Sequence, residues 1–213
     1  INNAAVDHFR IRVHGKSTHV STPHLGVDAL YIASQIVVAV QGLVTRRTSP
    51  TEPVIIGIGK LNAGTTYNAV AAFAEMEGTT RTISQESRDR VRAQVSETAQ
   101  SIAALYGGTA EVEWTDFAAA LINDPQVCRE AAEVVDELLG EGHVVTDREL
   151  SLSGDNFAEF ELYKPGAYAY LGTGNPDLPH TMITNHNGGF DVDENALVTG
   201  AGLYVGYTVA RLG

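Results

Sequence analysis

Apolar and polar positions alternate over residues 6–13 and again over 71–83, the period-two pattern of strands with one buried face. Between them the period lengthens. Over 28–46 apolar residues recur at Leu30, Ala33, Ile36, Val37, Val40 and Val44, the spacing of a helix with one stripe turned inward. Pro50 and Pro53 punctuate the exit from that helix. Residues 54–61 read as a second strand, and Gly64 marks a turn before the third, in which Phe73, Glu75, Glu77 and Thr79 share a face. A long amphipathic helix follows over 85–106, charged on one side and carrying Val91, Val95, Ile102 and Leu105 on the other. Gly107-Gly108 ends it as a C-cap. Residues 109–117 are the fourth strand.

The predicted order, β-α-β-β-α-β, is the split pattern of a ferredoxin-like sandwich, and it covers residues 6–119. After Asn123-Asp124-Pro125 the pattern changes. Asp124 can cap a helix with Pro125 in its first turn, running to residue 139 and stopping at Gly140. A short strand is expected at 144–146, and a short helix from Ser153 or Asp155 through 163. Pro165-Gly166 turns into a strand at 167–171. Residues 172–189 form a long loop rich in Gly, Pro, Asn and His, and Asp193 or Asn195 caps a last helix to 212. Three helices with two short strands have less sheet than an α/β layer needs to cover them. The expected fold class is therefore α/β (α+β): the sandwich, then an incomplete α/β segment over 120–213.

Composition narrows the partners. The 26 acidic against 14 basic residues give a net charge of −12, so nucleic acid and an anionic membrane surface would be repelled. Cys128 is the single cysteine, which excludes a disulfide within the chain and fits a reducing, cytoplasmic compartment. Cys128 reads as a small apolar residue on a helix. No run approaches the ~18 uninterrupted apolar residues of a membrane span. The chain starts at Ile1, and its methionines are Met76 and Met182.

Four segments carry candidate chemistry. The stretch 15–29 presents His19 on a polar loop before the first helix, where a solvent-facing histidine is the plainer alternative. Asn68 follows Gly64-Thr65-Thr66-Tyr67, and Arg81 lies near the end of the next strand; an amide and a guanidinium fork can together hold a carboxylate, or be an ordinary turn asparagine and surface arginine. Asp155, before Asn156-Phe157, is a metal ligand or a helix cap. His186, in a glycine-rich loop ahead of the last helix, has the imidazole that zinc favours but no visible partners.

In order and together, six segments resemble the aminoacylase and hippurate-hydrolase family of dinuclear-zinc amidohydrolases and peptidases. They are 15–28, 64–68, 78–82, 155–157, Pro165-Gly166 with Leu171-Gly172, and 186–197. The resemblance implies a lid and dimerisation domain at 6–119 and the C-terminal part of a catalytic domain at 120–213. It implies hydrolysis of an amide bond in an N-acyl amino acid or small peptide, by a homodimer paired through its lids. The cofactor it implies is two divalent metal ions, zinc, with manganese or cobalt as alternatives. It implies that His19 stabilises the oxyanion and reaches the partner subunit's site, that Asn68 and Arg81 contact the substrate carboxylate, that Gly172 places backbone near the substrate, and that His186 binds metal. The chain departs from the family at Asp155-Asn156-Phe157, where Glu-Asp-Phe is usual, and at Asn68-Ala69-Val70-Ala71, which lacks the usual proline. The family's early histidine and aspartate ligands and its paired glutamates have no counterpart in residues 1–213. The expectation is that this chain is the last part of a larger metallohydrolase, inactive alone. The alternative is a non-catalytic dimerisation or binding module, or a truncated homologue.

Overall fold

The structure, a computed structural model, describes residues 3–213. Its elements run β1 Ala5–His14, α1 Ala29–Arg46, β2 Ile55–Ala63, β3 Phe73–Thr82, α2 Gln85–Leu105, β4 Thr109–Ala118, α3 Pro125–Leu139, α4 Ala158–Glu161 and α5 Asn195–Leu212. The first six follow the predicted β-α-β-β-α-β order. Their strands make one antiparallel sheet in the order β2-β3-β1-β4. The chain forms two compact units, Ile1–Ile122 with Leu150–Leu162, and Asn123–Glu149 with Tyr163–Gly213.

The first unit buries one face of its sheet beneath α1 and α2. Phe9, Ile11 and Val13 of β1 and Ala74 and Met76 of β3 meet Ile32, Ile36 and Val40 of α1 and Val91 and Val95 of α2. Asp28 caps α1 and Ser84 caps α2, each accepting hydrogen bonds from the first backbone N–H groups of its helix. The stripe on α1 sits slightly round from the predicted one: Ile32 and Leu43 are buried, whereas Leu30 is half exposed. Leu105, expected on the apolar side of α2, points outward at the last turn, where the sheet no longer lies beneath it. By length and composition α1 could cross a membrane, but its Ile32–Ile36–Val40 face lies in the core. Gly78 is required by a close approach: a Cβ there would lie 2.3 Å from Phe9 Cζ and 2.4 Å from the Gly57 carbonyl oxygen. Leu150–Leu162 joins this unit through the backbone. The Ala4 N–H donates to the carbonyls of Ser151 and Ser153, both at 3.1 Å, and Glu159 accepts from the Ala119 N–H at 2.9 Å.

The second unit packs α3 against α5. The helices approach at glycines: a Cβ on Gly206 would lie 2.8 Å from Val134 Cγ1, and one on Gly202 would lie 3.1 Å from Leu138 Cδ2. Glu130 ties the pair, accepting from the Tyr207 hydroxyl at 3.1 Å and from Arg211 at 2.8 Å. The predicted cap of α3 holds, Asp124 accepting from Gln126 and Val127; α5 starts behind Glu194 without a side-chain cap, and Asp193 instead accepts from the Asn195 N–H in the turn that leads into it. Cys128 is half-buried on α3. The strands expected at 144–146 and 167–171 are absent; both stretches are irregular. A strand persists only where a neighbour pairs its N–H and C=O groups, and among the described residues this unit offers none. For the same reason α5, apolar around most of its surface, buries no residue; Val198, Tyr204 and Val209 stand in solvent.

Candidate functional site

Two of the sequence-predicted residues meet at one end of the first unit. The loop after β1 and the loop before β3 run side by side as a short ribbon. The Val20 N–H donates to the Asn68 carbonyl at 3.1 Å, the Val70 N–H donates to the Thr18 carbonyl at 2.9 Å, and His19 bridges Ala69. The first loop can fold back this tightly because position 26 is glycine: a Cβ there would lie 2.7 Å from the Lys16 carbonyl oxygen.

Neighbouring hydroxyls orient both side chains. The Ser21 N–H donates to His19 Nδ1 at 3.2 Å, and Ser21 Oγ lies 2.7 Å from the same nitrogen. An Nδ1 that accepts leaves the proton of the neutral ring on Nε2, so the exposed edge of His19 is a donor. Thr66 Oγ1 donates to Asn68 Oδ1 at 3.2 Å, which leaves the amide nitrogen as the donor end of that side chain. Sequence reasoning missed Ser21 and Thr66. The signal was a hydroxyl two residues from each candidate, the spacing of a local side-chain bond.

Arg81 is elsewhere. It pairs with Val6 on one side and Ile55 on the other, at the opposite end of β3 from the Asn68 loop. Eight residue steps separate Phe73 from Arg81, roughly 26 Å at the rise of a strand. Asn68 and Arg81 of one chain therefore do not hold the same carboxylate. Arg81 is half-buried and makes no ion pair among the described residues, whereas Arg10, Arg12, Arg88, Arg90 and Arg92 all do.

In the second unit His186 is exposed and holds a left-handed backbone, φ 61°, the one such non-glycine residue among those described. That conformation costs about 1 kcal/mol or more for a residue with a Cβ. Asn187 closes the turn beneath it, accepting from the Gly189 N–H at 2.9 Å. The Thr173 carbonyl accepts from the Asp193 N–H at 2.9 Å, and Asn175 donates to Asp193 at 2.7 Å, which holds that carboxyl below its usual range. These bonds anchor the loop after Gly172 to the entry of α5. Gly172 itself has open space where a Cβ would be. Asp155 accepts from the Phe157 N–H at 2.8 Å, which closes a turn ahead of α4. Among the described residues no group of three or more His, Cys, Asp or Glu is arranged to hold a metal ion. His186 offers one donor of the three or four that zinc takes, so these residues do not by themselves fit a metal site.

Residues 4–106 match the peptidase dimerisation domain of the M20 family, and the chain belongs to that family. It is 34% identical over 199 residues to thermostable carboxypeptidase 1 of Saccharolobus solfataricus, covering 93% of this chain and 49% of that protein. It is 32% identical over 195 residues to N-acetyl-L-cysteine deacetylase of Bacillus subtilis, covering 92% and 45%. Among solved structures it resembles a dinuclear metal-binding peptidase of the M20 family from Bacillus subtilis, with TM-score 0.77 and 29% identity over 99% of this chain and 51% of that one. The chain thus spans about half the length of the curated relatives it matches.

Proposed function

We propose that the intact protein hydrolyses the amide bond of an N-acyl amino acid or small peptide, and that each of its sites draws on two subunits. The observation carrying this reading is the separation of Arg81 from the His19–Asn68 ribbon along β3. One substrate can meet all three only if the far end of a second sheet comes alongside.

The edges of the sheet favour that arrangement. β4 carries three carboxylates, Glu111, Glu113 and Asp116, the last two engaged by Arg12 and Arg92, and this denser charge disfavours pairing at that edge. β2 carries Lys60 alone, and that ammonium is engaged by Glu77 at 2.7 Å. Two β2 edges pairing antiparallel about a two-fold axis would set Ile55 of one copy near Ala63 of the other. Arg81 lies one strand in from Ile55, and the Asn68 loop continues from Ala63. Arg81 would then stand about 10 Å, two strand spacings, from the start of the partner's loop.

Within such a site Arg81 and Asn68 would hold the substrate carboxylate, the guanidinium supplying charge and the amide direction. The Nε2–H of His19 would donate to the oxyanion that forms as the carbonyl is attacked, a contribution of about 3 kcal/mol for one well-placed donor. Gly172 would leave backbone open to the substrate. The relative from Bacillus subtilis supports two divalent ions as the cofactor, with zinc our choice and manganese or cobalt the alternatives. His186 would supply one ligand, and the others would come from outside the residues described. A second reading, residues 6–119 as a dimerisation module that is not itself catalytic, is favoured by the self-contained core of the first unit.

The test mixes two variants of the intact protein, His19→Ala and Arg81→Ala, each strongly impaired at a substrate concentration below the wild-type KM, under conditions that exchange subunits. If each site takes Arg81 from one subunit and His19 from the other, mixed dimers recover one whole site, and about a quarter of wild-type activity returns. If both residues act within one subunit, no activity returns.

A further inference from the structure

Beside the His19–Asn68 ribbon lies a cleft of about 530 Å³ with a mixed lining, apolar at Val20, Leu30, Tyr67 and Val70 and polar at Thr65, Thr66 and Asp28. Tyr67 is 95% exposed and makes no hydrogen bond among the described residues, so nothing in the fold accounts for an aromatic ring there. Asn68, the next residue, is half-buried beside the cleft without lining it, and its Oδ1 is engaged by Thr66. Val20 and Leu30 are 52% and 50% exposed, apolar surface left facing the opening. One oxygen of Asp28 caps α1 through Leu30 and Tyr31. Its charge faces the cleft and is not matched by any cation among the lining residues.

We infer that this cleft receives the side chain of the substrate's amino acid, and that Tyr67 determines which side chains are accepted. The inference rests on the reading above, in which the Asn68 amide holds the substrate carboxylate. A carboxylate at Asn68 puts the side chain on the same α-carbon within reach of Tyr67. The walls suit a large apolar group, leucine- or phenylalanine-like, with the Tyr67 ring closing over it and excluding water. Asp28 makes the cleft unfavourable for an acidic side chain, since a second carboxylate would be desolvated beside it. Tyr67 is here a specificity residue; the reacting atoms lie on the other side of the carboxylate.

The experiment compares hydrolysis of N-acetyl-alanine, N-acetyl-leucine, N-acetyl-phenylalanine and N-acetyl-glutamate by the intact protein and by its Tyr67→Ala and Asp28→Asn variants. Tyr67→Ala should raise KM for the leucine and phenylalanine substrates about tenfold or more, with kcat little changed and the alanine substrate unaffected. Asp28→Asn, which keeps a capping oxygen, should improve kcat/KM for the glutamate substrate relative to the alanine one. An equal loss on all four substrates, or no change on any, would overturn the cleft assignment. Arg81→Ala is the control for the underlying reading and should raise KM for every substrate alike. If Arg81→Ala leaves KM unchanged, the carboxylate-binding role fails and the cleft falls with it. If Arg81→Ala behaves as expected and Tyr67→Ala does not discriminate, the cleft alone is wrong.

Discussion

Arg88 of α2 grips Asp7 of β1 through three hydrogen bonds, from Nε to both carboxylate oxygens at 3.1 and 3.0 Å and from Nη2 to Oδ1 at 2.6 Å. Both side chains are buried, and the carboxylate beside it raises the Arg88 pKa above its ordinary value. Arg92 reaches the same carboxylate at 3.8 Å and Asp116 of β4 at 2.8 Å. The cluster joins the second helix to a central and an edge strand, where an apolar contact would fix position but not register.

Removing one partner leaves a buried charge. Arg88→Ala should lower unfolding free energy by about 3–5 kcal/mol, whereas the double replacement Asp7→Leu with Arg88→Met should cost much less. Denaturant unfolding of the single and double variants measures the difference. Equal costs would mean that the pair is not a coupled unit.

Packing around Phe9 gives a second prediction. Gly78→Ala forces a Cβ against both the Phe9 ring and the Gly57 carbonyl, and should destabilise by about 1–3 kcal/mol. Gly59→Ala, on the neighbouring strand β2 with open space where its Cβ would lie, should stay within about 1 kcal/mol of wild type. Thermal melts of the two variants compare them.

The β2 edge predicts an oligomeric state. Ile55→Lys together with Leu61→Lys places charge on two partly exposed edge positions and should convert a dimer to a monomer with its circular dichroism retained. Mass by light scattering reads the outcome directly; an unchanged mass removes the basis for the shared site.

The open face of the sheet predicts a pH response. Glu77 is bonded by Lys60 at 2.7 Å and lies 3.2 Å from His8, and its pKa is held down at about 2, chiefly by the Lys60 bond. A carboxylate lowered on folding stabilises the fold above its unfolded value and loses that contribution as pH falls through the folded one. The share due to Glu77 should therefore be present above about pH 4.5 and vanish toward pH 2. Glu77→Gln should flatten the stability profile over that window and leave its shape above it unchanged.

Much of the first unit was legible because its elements carry their own signals. The alternation through Phe9, Ile11 and Val13, the helical recurrence at Ala33, Ile36 and Val40, and the glycine stop after α2 are local facts, and each matches the element formed. The cap Asp124 was readable for the same reason: an N-cap bonds two or three residues along its own chain. The misplaced strands at 144–146 and 167–171 show the limit. Their residues suit a strand, but pairing is a property of the neighbour.

By itself, the sequence settled the β-α-β-β-α-β order and which faces are apolar, because both follow from periodicity over a few residues. It also marked His19, Asn68 and Arg81 as residues with chemistry. Only the tertiary structure could decide which of them meet. A strand carries its ends apart by about 3.3 Å per residue, while loops far apart in the chain can close to hydrogen-bond distance. That is why His19 lies against the segment bearing Asn68, forty-nine positions later, while Arg81, thirteen beyond Asn68, stands at the other end of the sheet.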